Sequence, residues 1–201
     1  MLGIPLGLLY ANASEWLIHK YVLHGPDSKK PGGMWSFHFL EHHRHARIKE
    51  MRDPDYERSV FGNNAQGKEA GALVFAALIH APLFPIAPFF TGTVMYSIVN
   101  YYRTHKKSHE DPQWAREHLP WHYDHHMGPD QHKNWGVTRP WFDHIMGTRV
   151  PYVGTELEKQ DRARREKSRA RREAAKSEAE ATDPSVASTE SAVPSTGREA
   201  A

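Results

Sequence analysis

The chain contains no cysteine in 201 residues. That single absence excludes disulfides, thiolate zinc sites and cysteine-held iron–sulfur clusters. An excess of one charge is also missing. Twenty-six Lys and Arg against 24 Asp and Glu leave +2, too mild a balance to imply a nucleic-acid partner. No Gly-rich fingerprint joins a strand to a helix, so no nucleotide site is expected. The most telling gap is local. From Ala70 to Tyr102, 33 residues pass without an Asp, Glu, Lys or Arg, although the mean hydropathy of the whole chain is −0.71.

As one helix that run would be roughly 50 Å long, against about 30 Å for the hydrocarbon core of a bilayer. Pro82, Pro85 and Pro88 stand near its middle, where a helix breaks. The pattern predicts a helical hairpin with its tip at Pro82–Pro88, penetrating most or part of the membrane. The first eighteen residues form a second apolar stretch, interrupted only by Glu15. It has no basic leader and runs straight into His19 and Lys20, so it reads as a membrane helix rather than a signal peptide. Lys20, Lys29 and Lys30 follow that helix, and Arg103, Lys106 and Lys107 follow the hairpin. By the positive-inside rule the tip points outward and the polar segments face the cytoplasm.

The last part of the chain has a different composition. Residues 161–180 hold eight basic and five acidic side chains, and no Leu, Ile, Val or aromatic. Such a segment has nothing to bury and is at best a solvated charged helix. From Ala181 the Ser, Thr, Pro and Glu content predicts disorder. The expected organisation is an all-α fold: an integral membrane helical domain over residues 1–154, carrying cytosolic histidine-bearing helices, and a charged, mostly disordered cytoplasmic tail over 155–201.

What the chain has in abundance is histidine, 15 in all. Ten are clustered: His19 and His24; His38, His42 and His43; His105 and His109; His122, His125 and His126. Neutral imidazole is the commonest protein metal ligand. In an α-helix, positions i and i+4 lie about 40° apart on one face. His38 with His42 and His105 with His109 have that spacing, and His122, His125 and His126 follow i, i+3, i+4. Ser36 is placed to cap the helix bearing His38, Pro120 to start the helix bearing His122, and Gly128 to end it. His19 and His24, at i and i+5, lie about 140° apart and are expected to straddle a face and serve different metals. At three or four nitrogens per ion, ten histidines accommodate two ions.

The other five histidines read as bystanders. His80 lies in the uncharged run without an evident partner, His118 precedes the Pro120 break, and His132 and His144 are isolated. His45, seven residues after His38, returns to the His38–His42 face and stays open as a substitute for His43. His38-Phe39-Leu40-Glu41-His42 also fits the H-x-x-E-H zinc pattern of inverted metallopeptidases, with Glu41 as base. That pattern leaves the other clustered histidines unexplained.

Residues Glu15 to Thr148 resemble the membrane-bound fatty acid hydroxylase / sterol desaturase superfamily. The similarity rests on "EWLIHKYVLH", "HFLEHH", "HKKSH" and "WHYDHH", and on "NWGVTRPWFDHIMGT", a string without ligands that histidine richness does not explain. The second box here is H-x-x-x-H-H where much of the family has H-x-x-H-H. Members also carry about four membrane helices, where this chain shows one helix and a hairpin, as if an N-terminal helix were missing. The resemblance implies two irons held by the ten clustered histidines at the cytosolic face, zinc being able to replace them in purified material. It implies O2-dependent oxidation of a lipid C–H bond, on a fatty acyl, sterol-like or carotenoid substrate. Glu15, Glu41, Asp124 and Asp143 become candidates for orienting the imidazoles.

With no cysteine for a relay, the resemblance implies that the two electrons come from a separate cytochrome b-type or ferredoxin-type carrier. The expected activity is lipid hydroxylation. The alternatives are a desaturase or sterol oxidase of the same superfamily, a non-redox membrane metal-binding protein, and the zinc peptidase.

Overall fold

The computed structural model describes residues 2–182, and every regular element among them is helical. The chain divides into two compact units, Met1–Thr155 and Glu156–Ala201. In the first unit, α1 (Gly3–Ile18) continues as a π turn over His19–Leu23. A second π segment, Phe37–His43, runs into α2 (Arg44–Ile48). α3 (Ala65–His80) and α4 (Pro88–Glu110) form the hairpin, and α5 (Pro112–His118), α6 (Pro120–Met127) and α7 (Trp141–Ile145) complete the unit.

The hairpin breaks where the prolines stand. α3 stops at His80, a short 3-10 turn spans Ala81–Leu83, and Pro88 opens α4 at a position that needs no N–H donor. α1 lies along α4 in the same direction. A Cβ on Gly3 would come within 2.7 Å of the Phe90 nitrogen, and one on Gly7 within 2.8 Å of Thr93 Cβ. The G-x-x-x-G spacing therefore lets the two backbones approach closely. Gly7→Leu is expected to destabilise the chain by about 1–3 kcal/mol through overpacking at that crossing, read from a denaturant midpoint.

Because α1 and α4 run in parallel, one end of the unit gathers the α1 start and the hairpin tip, and the other gathers the histidines. Apolar side chains around the first end point outward. Leu2, Leu6 and Leu9, then Val74, Phe75, Leu78 and Ile79, then Phe84, Ile86 and Phe89 are all exposed. The buried core lies at the histidine end, where Met51, Ala115, Tyr123, Met127 and Tyr152 pack together.

No described helix is long and apolar enough to cross a membrane. This differs from the expected membrane helix and has a simple cause. α1 and α3 have 16 residues each, about 24 Å against a core of about 30 Å. α4 reaches 23 residues only by including Arg103, His105, Lys106, Lys107, His109 and Glu110.

The second unit contains α8 (Glu156–Thr182), a charged helix stitched by pairs such as Lys159–Glu156 at 2.6 Å and Arg164–Asp161 at 3.6 Å. The disorder expected for the end of the tail falls on 183–201, outside the described residues.

Candidate metal centre

The ten clustered histidines converge, and none exposes more than 5 % of its surface. They form two groups. His19, His24, His38 and His43 place one ring nitrogen each within 4.8 Å of the others. His125 joins them, its Nε2 lying 3.2 Å from that of His43. His42, His105, His109 and His126 make the second set. There His122 Nε2 stands 3.2 Å from His109 Nε2. The groups abut, with the His43 and His126 rings stacked at 4.3 Å.

Helical spacing alone assigns part of this wrongly. His19 and His24 share one group instead of serving two. The His24 N–H bonds back to the His19 carbonyl at 3.0 Å, and this i+5 closure of a π turn brings residues five apart to the same side. The same winding over Phe37–His43 joins His38 to His43 and sends His42 to the other group, so the expected same-face His38–His42 pair is divided between the two. Ser36 does not cap this segment with its side chain. Its hydroxyl donates to the Gly33 carbonyl at 2.7 Å. His105 with His109, and Pro120 and Gly128 as the bounds of α6, stand where the sequence puts them.

The tautomers follow from what each ring's far side meets. Nδ1 of His19 faces the Trp135 carbonyl at 2.7 Å, that of His109 the Met51 carbonyl at 2.7 Å, and that of His125 the Lys133 carbonyl at 2.6 Å. His42 Nδ1 lies 2.7 Å from Asp53 Oδ2, and His105 Nδ1 2.6 Å from Glu69 Oε2. Acceptors at these places fix the proton on Nδ1 and leave Nε2 as a bare lone pair. His105 and His109 turn these lone pairs towards each other, and the Nε2 atoms of the other rings crowd in the same way, although His24 Nδ1 is buried without a partner and His43 Nδ1 faces the Gln131 amide nitrogen at 3.0 Å. Nε2–Nε2 separations are 2.9 Å for His24–His43, 3.1 Å for His19–His38 and 3.3 Å for His105–His109. Acceptors facing acceptors repel, and a cation between them reverses the sign. Nitrogens bound at right angles to one ion, about 2.1 Å away, lie about 3.0 Å apart. His42 Nε2 and His126 Nε2 are buried with no hydrogen-bond partner at all. The buried histidine groups could therefore hold metal.

Electrostatics points the same way. Burial, reinforced by the neighbouring imidazoles, holds His38, His43, His122 and His126 well below the ordinary histidine range. Burial takes His125 from 6.5 to about 3. Neutral imidazole is the ligating form. A histidine lowered on folding takes up protons in the unfolded chain first, so acid favours unfolding. The metal-free protein is expected to lose stability steadily as pH falls from 6.5 towards 3. Denaturant midpoints measured across that window check this, and a flat profile contradicts it.

The sequence candidates for orienting these rings act differently from expectation. Asp143 accepts from Trp135 N at 2.8 Å, Gly136 N at 2.7 Å and the Thr148 hydroxyl at 2.6 Å. Glu15 accepts from Val137 N, from Thr138 N at 2.7 Å and from the Thr138 hydroxyl at 2.8 Å. Both carboxylates hold the Asn134–Thr138 loop, which in turn presents the Trp135 carbonyl to His19. A Cβ on Gly136 would strike the Arg139 carbonyl oxygen at 2.2 Å, which accounts for glycine in that string. Asp124 holds Val153 N and Arg149, both at 2.7 Å. Glu41 is exposed, and the histidines flanking it serve different groups, an arrangement unlike a peptidase base.

The carboxylates that do touch imidazole, Asp53 and Glu69, escape sequence reasoning because neither lies in a histidine cluster. Asp53-Pro54 does signal a helix start, and Asp53 caps the turn through the Asp55 N–H.

Among the remaining histidines, His45 lies outside both all-histidine groups, 3.2 Å from Asp53 Oδ1, and forms a third, mixed group with Asp53 and Asp55, whereas His43 lies inside the first. His80 has partners after all: Tyr10 OH at 2.8 Å and the Ala76 carbonyl at 2.7 Å. His118 stacks on Trp114, and His132 lies 3.3 Å from Lys29 Nζ. No protein-family model, curated protein or solved structure matches the chain.

Proposed function

We propose that this protein is a membrane-embedded di-iron oxygenase that hydroxylates a C–H bond of a lipid with O2 and two electrons from a separate carrier. One observation supports the reading: ten buried imidazoles in two abutting groups, with their Nε2 atoms turned towards one another. His19, His24, His38, His43 and His125 would hold one iron, and His42, His105, His109, His122 and His126 the other. Bound there, the pair supplies reduction of dioxygen and oxidation of a C–H bond, chemistry that zinc lacks.

The chain's own residues do the rest. The carbonyls of Trp135, Met51 and Lys133 and the carboxylates of Asp53 and Glu69 keep the rings in register. Burial of all ten histidines excludes water from the reacting region. The exposed apolar ends of α1, α3 and α4 enter the lipid, while Lys20, Arg103 and Lys107 keep the histidine end at the cytoplasmic face. A lipid entering between those helices meets the centre with its polar head near the interface. One atom of O2 would enter the product and the other would leave as water, with two protons and two electrons consumed.

The test is isotopic. Cells carrying the active chain or His125→Ala are grown under ¹⁸O2 and their lipids compared. A lipid one labelled oxygen heavier, present only with the active chain, is expected. Label taken only from water removes the oxygenase reading, and a product two hydrogens lighter with no new oxygen replaces hydroxylation by desaturation.

A further inference from the structure

We infer that the two histidine groups are unequal, and that Asp53 and Glu69 make the His42/His105/His109/His122/His126 group the tighter divalent-cation site, the one filled first. The inference rests on the two-ion reading of the centre and adds an order to it.

The difference lies behind the rings. In this group two of the imidazole N–H groups donate to carboxylates, His42 to Asp53 at 2.7 Å and His105 to Glu69 at 2.6 Å. Asp53 is fully buried and the Glu69 side chain is 12 % exposed. Tyr56 fixes Glu69 in place by donating its hydroxyl to the same oxygen at 2.5 Å, while its ring stacks on His109 at 5.4 Å. In the other group no carboxylate among the described residues touches a ring: His19 and His125 face the Trp135 and Lys133 carbonyls, and the Gln131 side-chain nitrogen, a donor, lies 3.0 Å from His43 Nδ1. An imidazole whose N–H is held by a carboxylate is the stronger base at its far nitrogen. A buried negative charge adds an attraction for a cation that water screens little.

Cationic side chains border both groups, Arg47 Nη1 lying 3.1 Å from the His126 carbonyl oxygen. Lys29 Nζ sits 3.3 Å from His132, whose ring is 5.6 Å from that of His24, so an ammonium borders the carboxylate-free group. Lys106, beside the other group, is tied to Glu110 at 3.2 Å and to Gln66 Oε1 at 2.7 Å. The oxygens of Asp143 and Glu15 accept from backbone N–H groups and threonine hydroxyls and from no imidazole. The two buried Nε2 atoms left without any partner, those of His42 and His126, both belong to the carboxylate-backed group.

Stepwise titration of the full chain with Co²⁺ against a competing chelator tests the order without reading activity. Two dissociation constants about tenfold or more apart are expected. Asp53→Asn keeps a capping oxygen and removes the charge, and Glu69→Gln does the same at the second position. Each should weaken the tighter step about 10–100-fold and leave the weaker one within about threefold. Gln131→Leu should move the weaker step alone. Circular dichroism confirms folding, and if one carboxylate variant fails to fold, the other carries the comparison. Two equal constants in the wild type, or carboxylate variants that weaken the looser step, overturn the order while leaving two ions in place. A wild-type total below two ions removes the two-ion reading and the order with it.

Discussion

Replacing His43 by alanine is expected to weaken metal binding by more than about 100-fold, beyond the cost of losing an outer partner. His45→Ala, two residues away, should leave it nearly unchanged. His43 is the hub of its group: its Nε2 lies 2.9 Å from that of His24, 3.2 Å from that of His38 and 3.2 Å from that of His125. Removing it takes away the nitrogen that the other three share as neighbour. His45 faces Asp53 at 3.2 Å with Asp55 nearby, outside both all-histidine groups, and its side chain is 38 % exposed. Equilibrium dialysis of both variants against a divalent cation gives the comparison. Equal losses would mean that the π winding around Phe37–His43 does not select the ligands.

A larger structural effect is expected for Asp143→Ala. Its carboxylate is fully buried and accepts from two backbone N–H groups and the Thr148 hydroxyl, which itself accepts from Trp16 Nε1 at 3.1 Å. Truncation leaves three buried donors without their acceptor, at about 1–3 kcal/mol each. That sum, roughly 3–9 kcal/mol, rivals the whole stability of a domain this size, about 5–15 kcal/mol. The variant should fail to fold or melt at low denaturant, and Asp143→Asn, which keeps one acceptor, should fall between it and the wild type. An alanine variant within about 1 kcal/mol of wild type would contradict the role given to the loop.

Which parts of this were legible in the sequence follows from the range of each interaction. Hairpin, helix bounds and histidine clusters depend on neighbours within a turn or two, and Pro88, Pro120 and Gly128 mark them directly. The division of His19/His24 and His38/His42/His43 between groups was not legible, because a π turn has no residue signature comparable to a proline or a capping serine. Asp53 and Glu69 were missed because their partners are 11 and 36 residues distant. Glu15 and Asp143 stand beside histidines in "EWLIH" and "FDHIMGT", yet their bonds run to the loop rather than to a ring. The short apolar helices explain why the uncharged 33-residue run reads as a membrane segment while none of the described helices is long enough to cross one.

The central claim is that these ten histidines hold two irons. The direct measurement is the iron content of the full chain, loaded with Fe²⁺ without oxygen, freed of loose metal, and analysed by elemental mass spectrometry with ⁵⁷Fe Mössbauer spectra of the same sample. The account predicts close to two irons per chain in nitrogen-rich surroundings, two distinguishable ferrous signals in the wild type, and collapse of that content in His43→Ala and His109→Ala. A content that stays at one ion or below under saturating Fe²⁺, or two ions that persist in both histidine variants, contradicts it.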